Sequence, residues 1–354
     1  MSGTSIDGVD FTYLETNGTN YVKIFFGKTY KYSNIYKSKI KKLIDKIQNK
    51  NSLSVKNNDL FISKQFLNYT KKFIKEYNIN STKIHYIGLS GQTIIHNPDR
   101  KISIQLGSGK FLSQKLKINV ISNFRQNDIL HGGQGAPIGA FYHKYLSTKF
   151  KKNIAFINLG GIANICYTNK KKLIAFDIGP ANVLIDEFIW KKLKKNFDIH
   201  GILSSKGKLN YKILNEFLSD KYFKKNYPKS LDRNYFFRFL KKVNKLSNND
   251  GLHTLSMMTV HGIKKGIDLL NEKIDQIVLT GGGRKNKFIY KKLKEITKLQ
   301  IVNIDDLGFD GDLLEAQAFA YLTVRSVKKL PLSINSTTGV TKPVSGGILH
   351  KFNN

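Results

Sequence analysis

The chain has 354 residues, of which 40% are hydrophobic, so it is long enough for about two domains and apolar enough for buried cores. No apolar run approaches the roughly 18–20 residues that a membrane-spanning helix needs, and the first residues contain no hydrophobic signal segment. Cys166 is the single cysteine, which excludes an internal disulfide and a zinc cluster built on cysteines. We therefore expect a cytoplasmic protein without a membrane partner.

The formal net charge is +34, and most of the 59 basic residues are lysines spread along the whole chain. Specific readout of nucleic acid favours arginine, whose planar guanidinium pairs with base edges. The composition therefore favours a solvated lysine surface and no specific nucleic-acid partner. A surface that binds polyanions is the alternative.

The first predicted feature is a small turn rich in hydroxyl groups, formed by Gly3, Thr4, Ser5 and Gly8. Its main-chain donors and hydroxyls suit phosphate oxygens, and Asp7 is a candidate ligand for Mg²⁺ or its waters. No Gly-Lys-Ser/Thr follows, so the turn is not a Walker P-loop. A phosphate turn is expected to follow a strand, and none precedes this one; an ordinary flexible N-terminus is the alternative.

A strand is predicted at 22–26, and apolar residues at helical spacing predict two amphipathic helices around 40–47 and 66–77. A further strand at 84–89 leads into the polar turn Ser-Gly-Gln-Thr, which ends at residue 93, and His96 follows shortly after. Because α/β proteins bind ligands at the carboxyl ends of parallel strands, this turn and His96 are candidate ligand contacts. A structural role for the histidine is the alternative.

Alternation of apolar and polar residues predicts a half-buried strand at 102–106, and another strand is predicted at Val120 and Ile121. After it, Arg125 and Asp128 form an opposite-charge pair beside the glycine-rich loop 131–137. Such a pair can hydrogen-bond a carboxylate and the hydroxyls of a polar ligand. A salt bridge within one helical turn is the alternative.

Residues 157–186 predict two apolar strands, each followed by a small polar turn. In the first turn, Gly160 and Gly161 let main-chain N–H groups approach an anionic ligand. In the second, Asp177 follows a buried strand, and Pro180 fits the start of a helix. A carboxylate next to a phosphate-sized turn predicts a group-transfer site with its own base; a hairpin whose aspartate caps a helix is the alternative.

Short helices and a loop are predicted over 199–250, followed by a long helix at 252–270. A strand at 276–280 then leads into a triple glycine, 281–283, and a helix. Glycines in this context let a flat base or sugar lie against the main chain, as in a nucleotide site.

An alanine-rich helix is predicted to begin near Asp312, which with Glu315 fits a capping box. We expect an N-terminal domain over 1–135 and a C-terminal domain over 136–330. The tail, 331–354, is expected to pack back on the first domain.

The order of phosphate turn, helices, hairpin with a second phosphate turn, long helix, strand–GGG–helix and final helix is the layout of the actin-like ATPase and sugar kinase fold. A set of motifs makes the sequence resemble the anhydro-N-acetylmuramic acid kinases over nearly its whole length: GTSIDGVD, SGQT with His96, NFRQND-x3-GGQGAP, NLGGIAN, FDIGPAN-x3-D, GGGRKN and EAQAFAYL. The resemblance implies an α/β, two-lobed actin-like ATPase (ribonuclease H-like) sugar-kinase fold with an interlobe cleft.

The resemblance also implies a reaction. Kinases of this family add water at C1 of 1,6-anhydro-N-acetylmuramic acid from recycled cell wall and pass the ATP γ-phosphoryl group to O6. Asp177 corresponds to the catalytic base, and Glu315 to a second acidic residue that orients water or the ring. ATP and Mg²⁺ are the implied cofactors, with Asp7 as the metal residue, and a homodimer is the implied assembly.

The binding residues implied by the resemblance follow from the motifs. Those expected to contact ATP are Gly3, Thr4, Ser5, Ile6, Asp7, Gly8, Val9, Asp10, Gly160, Gly161, Asn164, Gly281, Gly282, Gly283 and Asn286. Those expected to contact the sugar are Gln92, His96, Arg125, Asp128, Gly133 and Gln134.

The sequence departs from the family pattern mildly at Ala181, where the family has glycine, and more clearly in two other places. The family has a strand before the Met-Ser-Gly-Thr-Ser run, and the segment 228–234 keeps Pro-Lys-Ser and an arginine but replaces a Thr-Gly pair and an acidic residue. Two alternatives stay open: a truncated, inactive member of the fold that binds polyanions through its basic surface, and a kinase of this fold that acts on another sugar.

Overall fold

The computed structural model describes residues 1–3, 6–49, 55–150 and 152–352. The strands within these ranges are β1 Gly8–Thr16, β2 Val22–Lys31, β3 Tyr86–Leu89, β4 Gln92–Asn97, β5 Ile102–Leu106, β6 Asn119–Ser122, β7 Ile154–Leu159, β8 Ile162–Thr168, β9 Leu173–Pro180, β10 Gln276–Thr280, β11 Ile301–Asn303 and β12 Ile348–His350.

The α-helices are interspersed among these strands along the chain. They are α1 Asn34–Asn49, α2 Val55–Glu76, α3 Gly109–Leu116, α4 Gln126–Leu130, α5 Ala140–Ser147, α6 Asn182–Leu193, α7 Ile202–Ser205, α8 Tyr211–Leu218, α9 Arg238–Val243, α10 Asn248–Leu270, α11 Lys287–Thr297, α12 Leu314–Val327 and α13 Asn335–Thr338. The mixed α/β class predicted from the sequence is confirmed.

The chain divides into two compact units, one of residues 1–145 with 312–354, the other of residues 146–311. In the first unit, β1 and β2 form an antiparallel hairpin, β12, β6 and β3 form a three-stranded sheet, and β4 pairs with β5. Helix α2 packs against α3, β1 and β5, and it contributes Ile62, Phe66 and Phe73 to the core of this unit.

Helix α12 belongs to the first unit, although the sequence assigned residues up to 330 to the second domain. It packs against β1 and β3. Gly88 on β3 makes this possible, because a Cβ there would overlap Thr323 Oγ1 and lie 3.1 Å from the carbonyl oxygen of Phe319. A small residue in the strand thus allows the helix to approach the sheet.

The second unit is built on a five-stranded sheet in the order β11-β10-β7-β8-β9. Strands β7, β8 and β9 form an antiparallel meander, and β10 and β11 continue it parallel to β7. Every residue of β7, β9 and β10 is buried, as expected for strands covered on both faces.

Helix α10 packs against β8 and β9 and contacts α6, α7, α8 and α11, so it forms the centre of the helical layer in this unit. Its sequence carries buried residues such as Leu255, Met258 and Ile263 along the side that faces the core. The long helix predicted from residue 252 therefore exists and begins four residues earlier, where Ser247 caps Asp250.

Candidate active site

A row of polar residues crosses four strands of the second unit's sheet. Thr280 pairs with Asn158, Asn158 with Asn164, and Asn164 with Asp177. Cross-strand partners project on the same face of a sheet, so these side chains are neighbours. The sheet therefore brings the predicted base and the second phosphate turn together.

Asp177 lies near the end of β9, and its side chain is only 7% exposed. Its carboxylate Oδ2 accepts a hydrogen bond from the main-chain N–H of Leu231, with an N–O distance of 2.8 Å. A carboxylate has about four lone-pair sites and can accept several hydrogen bonds at once. It can act as a general base toward a water within hydrogen-bond reach.

The turn at Gly160 and Gly161 is tied to the start of helix α6. The carbonyl of Gly160 accepts hydrogen bonds from the main-chain and side-chain nitrogens of Asn182, and the carbonyl of Gly161 accepts from the N–H groups of Ala181 and Val183. The carbonyl groups of the turn therefore connect it to the first residues of the helix. Helix α6 begins at Asn182 with Ala181 as its N-cap. Pro180 ends β9, so its predicted place at the start of the helix is wrong.

The triple glycine packs against this same turn. A Cβ on Gly281 would overlap Asn158 Oδ1, and one on Gly283 would lie 2.7 Å from Leu159 Cβ. Gly281 also has φ of +72°, in the left-handed region. A Cβ on Gly282 would meet no atom within 4 Å. Two of the three glycines thus allow close packing between protein segments, and Gly282 faces open space.

Asn286, predicted to contact ATP, caps helix α11: its Oδ1 accepts a hydrogen bond from the N–H of Ile289 at 3.1 Å. Next to it, Arg284 is buried and holds the triple glycine through a hydrogen bond from Nη1 to the Gly281 carbonyl. Arg284 also pairs with Asp305 at 2.5 Å, and this hydrogen bond keeps the pKa of Asp305 below its ordinary value. Sequence reasoning missed this arginine, although it stands in the GGGRKN motif.

The first phosphate turn lies in the first unit, and Thr4 and Ser5 fall outside the described residues. Ile6 and Val9 are buried core residues, so we expect any nucleotide contact there to involve main-chain atoms. Gly8 opens strand β1 and packs closely on Tyr30, because a Cβ at this glycine would lie only 2.6 Å from the Tyr30 carbonyl oxygen.

The two acidic residues of this segment differ in their surroundings. The Asp10 carboxylate accepts a hydrogen bond from the Thr29 hydroxyl at 2.6 Å. The Asp7 side chain is 69% exposed, and its Oδ1 lies 3.3 Å from Lys37 Nζ. An exposed carboxylate suits Mg²⁺, which proteins hold through one or two carboxylates while waters and phosphates complete the shell. No cluster of three or more metal-ligating side chains occurs among the described residues.

Gln92, predicted in a turn, begins strand β4, and its buried side chain holds the N-terminal segment. Its Oε1 accepts a hydrogen bond from the Ser2 hydroxyl at 2.7 Å, and its Nε2 donates to the carbonyl of Gly3 at 3.2 Å. The predicted sugar-binding turn and the predicted phosphate turn are therefore in direct contact within the first unit.

His96 and Arg125 meet the glycine-rich loop 131–137. Nδ1 of His96 lies 3.1 Å from the Ser103 hydroxyl, and Cε1 lies close to Gly135. Arg125 donates from Nη1 to the carbonyl of Gly135 at 2.9 Å. Burial, followed by the positive charge of Arg125, lowers the pKa of His96 to about 3, so its ring is neutral at physiological pH.

Asp128 organises this loop from its centre. Its Oδ1 accepts a hydrogen bond from the N–H of Gly135 at 2.6 Å, and its Oδ2 accepts from the Thr338 hydroxyl at 2.5 Å. Gly133 packs on the same carboxylate, and the N–H of Gln134 donates to the carbonyl of Thr338. Asp128 thus stabilises the loop through hydrogen bonds, a role that differs from both sequence interpretations, the ligand contact and the salt bridge with Arg125.

The capping box predicted at Asp312 and Glu315 is wrong. Helix α12 begins at Leu314, its N-cap is Leu313, and no side-chain hydrogen bond caps it. Glu315 is exposed in the first turn of the helix. The alternative that explained this glutamate as a capping residue is therefore removed.

Comparison with known proteins identifies the family. A model of the family described as "AnmK: Anhydro-N-acetylmuramic acid kinase" matches residues 1–351. The chain belongs to the anhydro-N-acetylmuramic acid kinase family.

Relatives of this family match the chain over almost their full length. The chain is 35% identical to the anhydro-N-acetylmuramic acid kinase of Zymomonas mobilis subsp. mobilis, covering 99% of this chain and 98% of the relative. It is 34% identical to that of Brucella canis, covering 98% and 96%, and 31% identical to that of Rhizobium etli, covering 99% and 96%.

Membership of this kinase family confirms the resemblance drawn from the motifs and the prediction of an enzyme. Nothing in the described residues or among these relatives supports the alternative of an inactive polyanion-binding protein. Within the described ranges, no helix is both long and apolar enough to cross a membrane.

Proposed function

We propose that this kinase opens the 1,6-anhydro ring of 1,6-anhydro-N-acetylmuramic acid with water and phosphorylates O6 with ATP, giving N-acetylmuramic acid 6-phosphate in peptidoglycan recycling. The observation that carries the proposal is the family match along residues 1–351, which includes the Asp177 motif. The cross-strand pairs of Asn158 with Asn164 and of Asn164 with Asp177 support the proposal, because they place Asp177 beside the second phosphate turn.

In the proposed reaction Asp177 takes a proton from the water that attacks C1. The C1–O6 bond breaks, and O6 attacks the γ-phosphorus in line, so that ADP leaves. A water molecule needs a positioned base to become a competent nucleophile, whereas phosphoryl transfer needs mainly alignment and neutralisation of charge. We propose that Glu315 orients the water or the ring.

For the nucleotide, we propose contacts from the first phosphate turn, from Gly160, Gly161 and Asn164, and from the segment between Gly281 and Asn286. Asp7 would hold Mg²⁺, which neutralises phosphate charge when bound. The exposed carboxylate of Asp7 supports this assignment.

For the sugar, we propose contacts from the loop that contains Gly133 and Gln134, together with His96 and Arg125. A neutral His96 ring can accept or donate a hydrogen bond to a sugar hydroxyl without a charge penalty. Gln92 and Asp128 support this surface through the loops that they hold. We also propose a cytoplasmic homodimer. Each chain would carry its sugar contacts in the first unit and Asp177 in the second.

The experiment is a single incubation of the full chain with ATP, Mg²⁺ and the anhydro-sugar in ¹⁸O-labelled water, followed by mass spectrometry. We expect a 6-phosphosugar with one labelled oxygen at C1. N-acetylmuramic acid, which has no 1,6-anhydro bridge, serves as the control that needs no hydrolysis. Absence of a phosphosugar would overturn the proposal, and a phosphosugar without label at C1 would overturn its hydrolytic half.

A further inference from the structure

Strand β9 is an outer strand of the five-stranded sheet, and among the described residues β8 is the only strand that pairs with it. At Asp177 both main-chain groups are bonded to a segment that follows much later in the chain. The N–H of Asp177 donates to the carbonyl of Lys229 at 3.0 Å, and its carbonyl accepts a hydrogen bond from the Tyr222 hydroxyl at 2.6 Å. With the Leu231 N–H on the carboxylate, segment 220–231 contacts Asp177 at three points.

Tyr222 is suited to a permanent donor role. Its side chain is 2% exposed, and burial, followed by the charge of Asp177, raises the pKa of its phenol well above the ordinary value. The hydroxyl therefore keeps its proton over the whole physiological range. The ring is fixed by its neighbours Phe223, Tyr235 and Phe236.

Lys229 locks the segment around this tyrosine. Its Nζ donates to the carbonyl of Tyr222 at 3.2 Å and to that of Lys225 at 2.9 Å, and it lies 4.7 Å from the centre of the Tyr222 ring. The lysine is buried, and its ammonium group is hydrogen-bonded to these two carbonyls. Its own carbonyl is the acceptor for Asp177, so Lys229 links Tyr222 and Asp177 within one compact loop.

We propose that Tyr222 is a positioning residue for Asp177, which it holds at the sheet edge through the hydroxyl-to-carbonyl hydrogen bond, in a loop locked by Lys229. The inference rests on the proposed role of Asp177 as the base. A general base acts only while its carboxylate stays within hydrogen-bond reach of the water. An outer strand lacks a second neighbour to keep its backbone in place, and here the Tyr222 loop takes that position.

The test compares Tyr222→Phe with Tyr235→Phe. Both changes remove one hydroxyl from the same aromatic cluster and keep the ring, but the Tyr235 hydroxyl bonds Asp220 at 3.1 Å and not Asp177. The measurements are kcat, KM for ATP and for the sugar, the thermal midpoint, and hydrogen–deuterium exchange of the peptide covering 173–180.

For Tyr222→Phe we expect kcat to fall by roughly ten- to a hundredfold, because a small displacement of a reacting group has effects of this size. KM for ATP should stay unchanged, and exchange in the peptide 173–180 should be faster than in the wild type. Tyr235→Phe should keep the wild-type kcat and exchange. Placing 4-aminophenylalanine at position 222 restores a donor and should restore kcat.

Two failures are distinguishable. An active wild type whose Tyr222→Phe variant matches Tyr235→Phe in kcat and exchange would overturn this inference alone. A wild type that forms no phosphosugar would overturn the proposed function and this inference with it. Should Tyr222→Phe fail to fold, the 4-aminophenylalanine variant decides: wild-type kcat supports the inference, and a folded variant with a low kcat and wild-type exchange overturns it.

Discussion

The carboxylate of Asp177 and the main-chain N–H of Leu231 are joined by a hydrogen bond of 2.8 Å, although 54 positions separate the two residues. The bond fixes the orientation of one carboxylate oxygen at the end of β9. Because the donor is a main-chain group, it is present with any residue except proline at position 231. It also separates the chemical role of Asp177 from its structural role, since an amide oxygen at position 177 can accept the same bond.

Asp177→Asn is therefore expected to fold normally and to lose turnover. The asparagine retains an acceptor for Leu231 but has no basic carboxylate, so kcat should fall by about two to four orders of magnitude, the usual contribution of a general base. ATP binding, measured by calorimetry, should be nearly unchanged. Asp232→Asn makes the same chemical change at an exposed position of the neighbouring segment and is the control. Full activity of Asp177→Asn would reject the assignment of the base.

Glu315→Gln should lower kcat by about tenfold or more, as expected when a group that orients a reactant is neutralised. The glutamate stands in the first turn of α12, so loss of its interaction with the helix dipole should cost about 1 kcal/mol of stability. Steady-state kinetics and urea unfolding measure the two effects separately. A large loss of stability with unchanged kcat would assign Glu315 a structural role instead.

Gly281→Ala and Gly282→Ala are expected to differ in stability although they are neighbours. At Gly281 an alanine would adopt a left-handed φ of +72° and overlap Asn158, so we expect a loss of roughly 1–3 kcal/mol, typical of a strained backbone position. At Gly282 the added methyl group meets no atom, and the change should stay within about 0.5 kcal/mol. Urea unfolding of both variants measures the difference; equal losses would contradict the packing described for this segment.

The ring of His96 should not titrate between pH 5 and 8. Its pKa in the folded chain is about 3, below the ordinary value of 6.5, because burial and Arg125 disfavour the charged ring. As the pH falls, the His96 ring of the unfolded chain takes up a proton near pH 6.5, whereas that of the folded chain does so only near pH 3. The neutral, buried ring therefore contributes to the free energy of unfolding above pH 6.5, and this contribution is lost as the pH falls toward 3. NMR of the histidine ring signals as a function of pH measures the pKa of His96, and the urea-unfolded chain is the control. A shift of the His96 signals near pH 6.5 in the folded chain would contradict the prediction.

Strong apolar runs made much of the second unit predictable. The strand at 276–280 has the predicted bounds. The hairpin that contains Asp177 forms because most residues of its strands β8 and β9 are apolar. Periodicity also located α10, apart from its first turn. The strand order of the sheet was not visible in these patterns, because pairing between β7 and β10 joins segments more than a hundred residues apart.

Residues whose partners are distant in sequence were the ones that pattern reasoning missed. The role of Gln92 depends on Ser2 and Gly3, that of Asp128 on Thr338, and that of Arg284 on Asp305. The capping box failed for a local reason: the spacing of Asp312 and Glu315 fits the motif, but the helix begins two residues after Asp312. Spacing alone does not fix where the first helical turn starts.

The hydrogen bonds between segment 220–231 and Asp177 of β9 have a consequence for solubility. The outer strand of a sheet presents unpaired main-chain groups that another chain can use as a template for aggregation. At Asp177 those groups are already occupied by Tyr222 and Lys229. Damage to this loop should therefore promote intermolecular pairing as well as impair turnover, so that loss of activity and precipitation would share one origin.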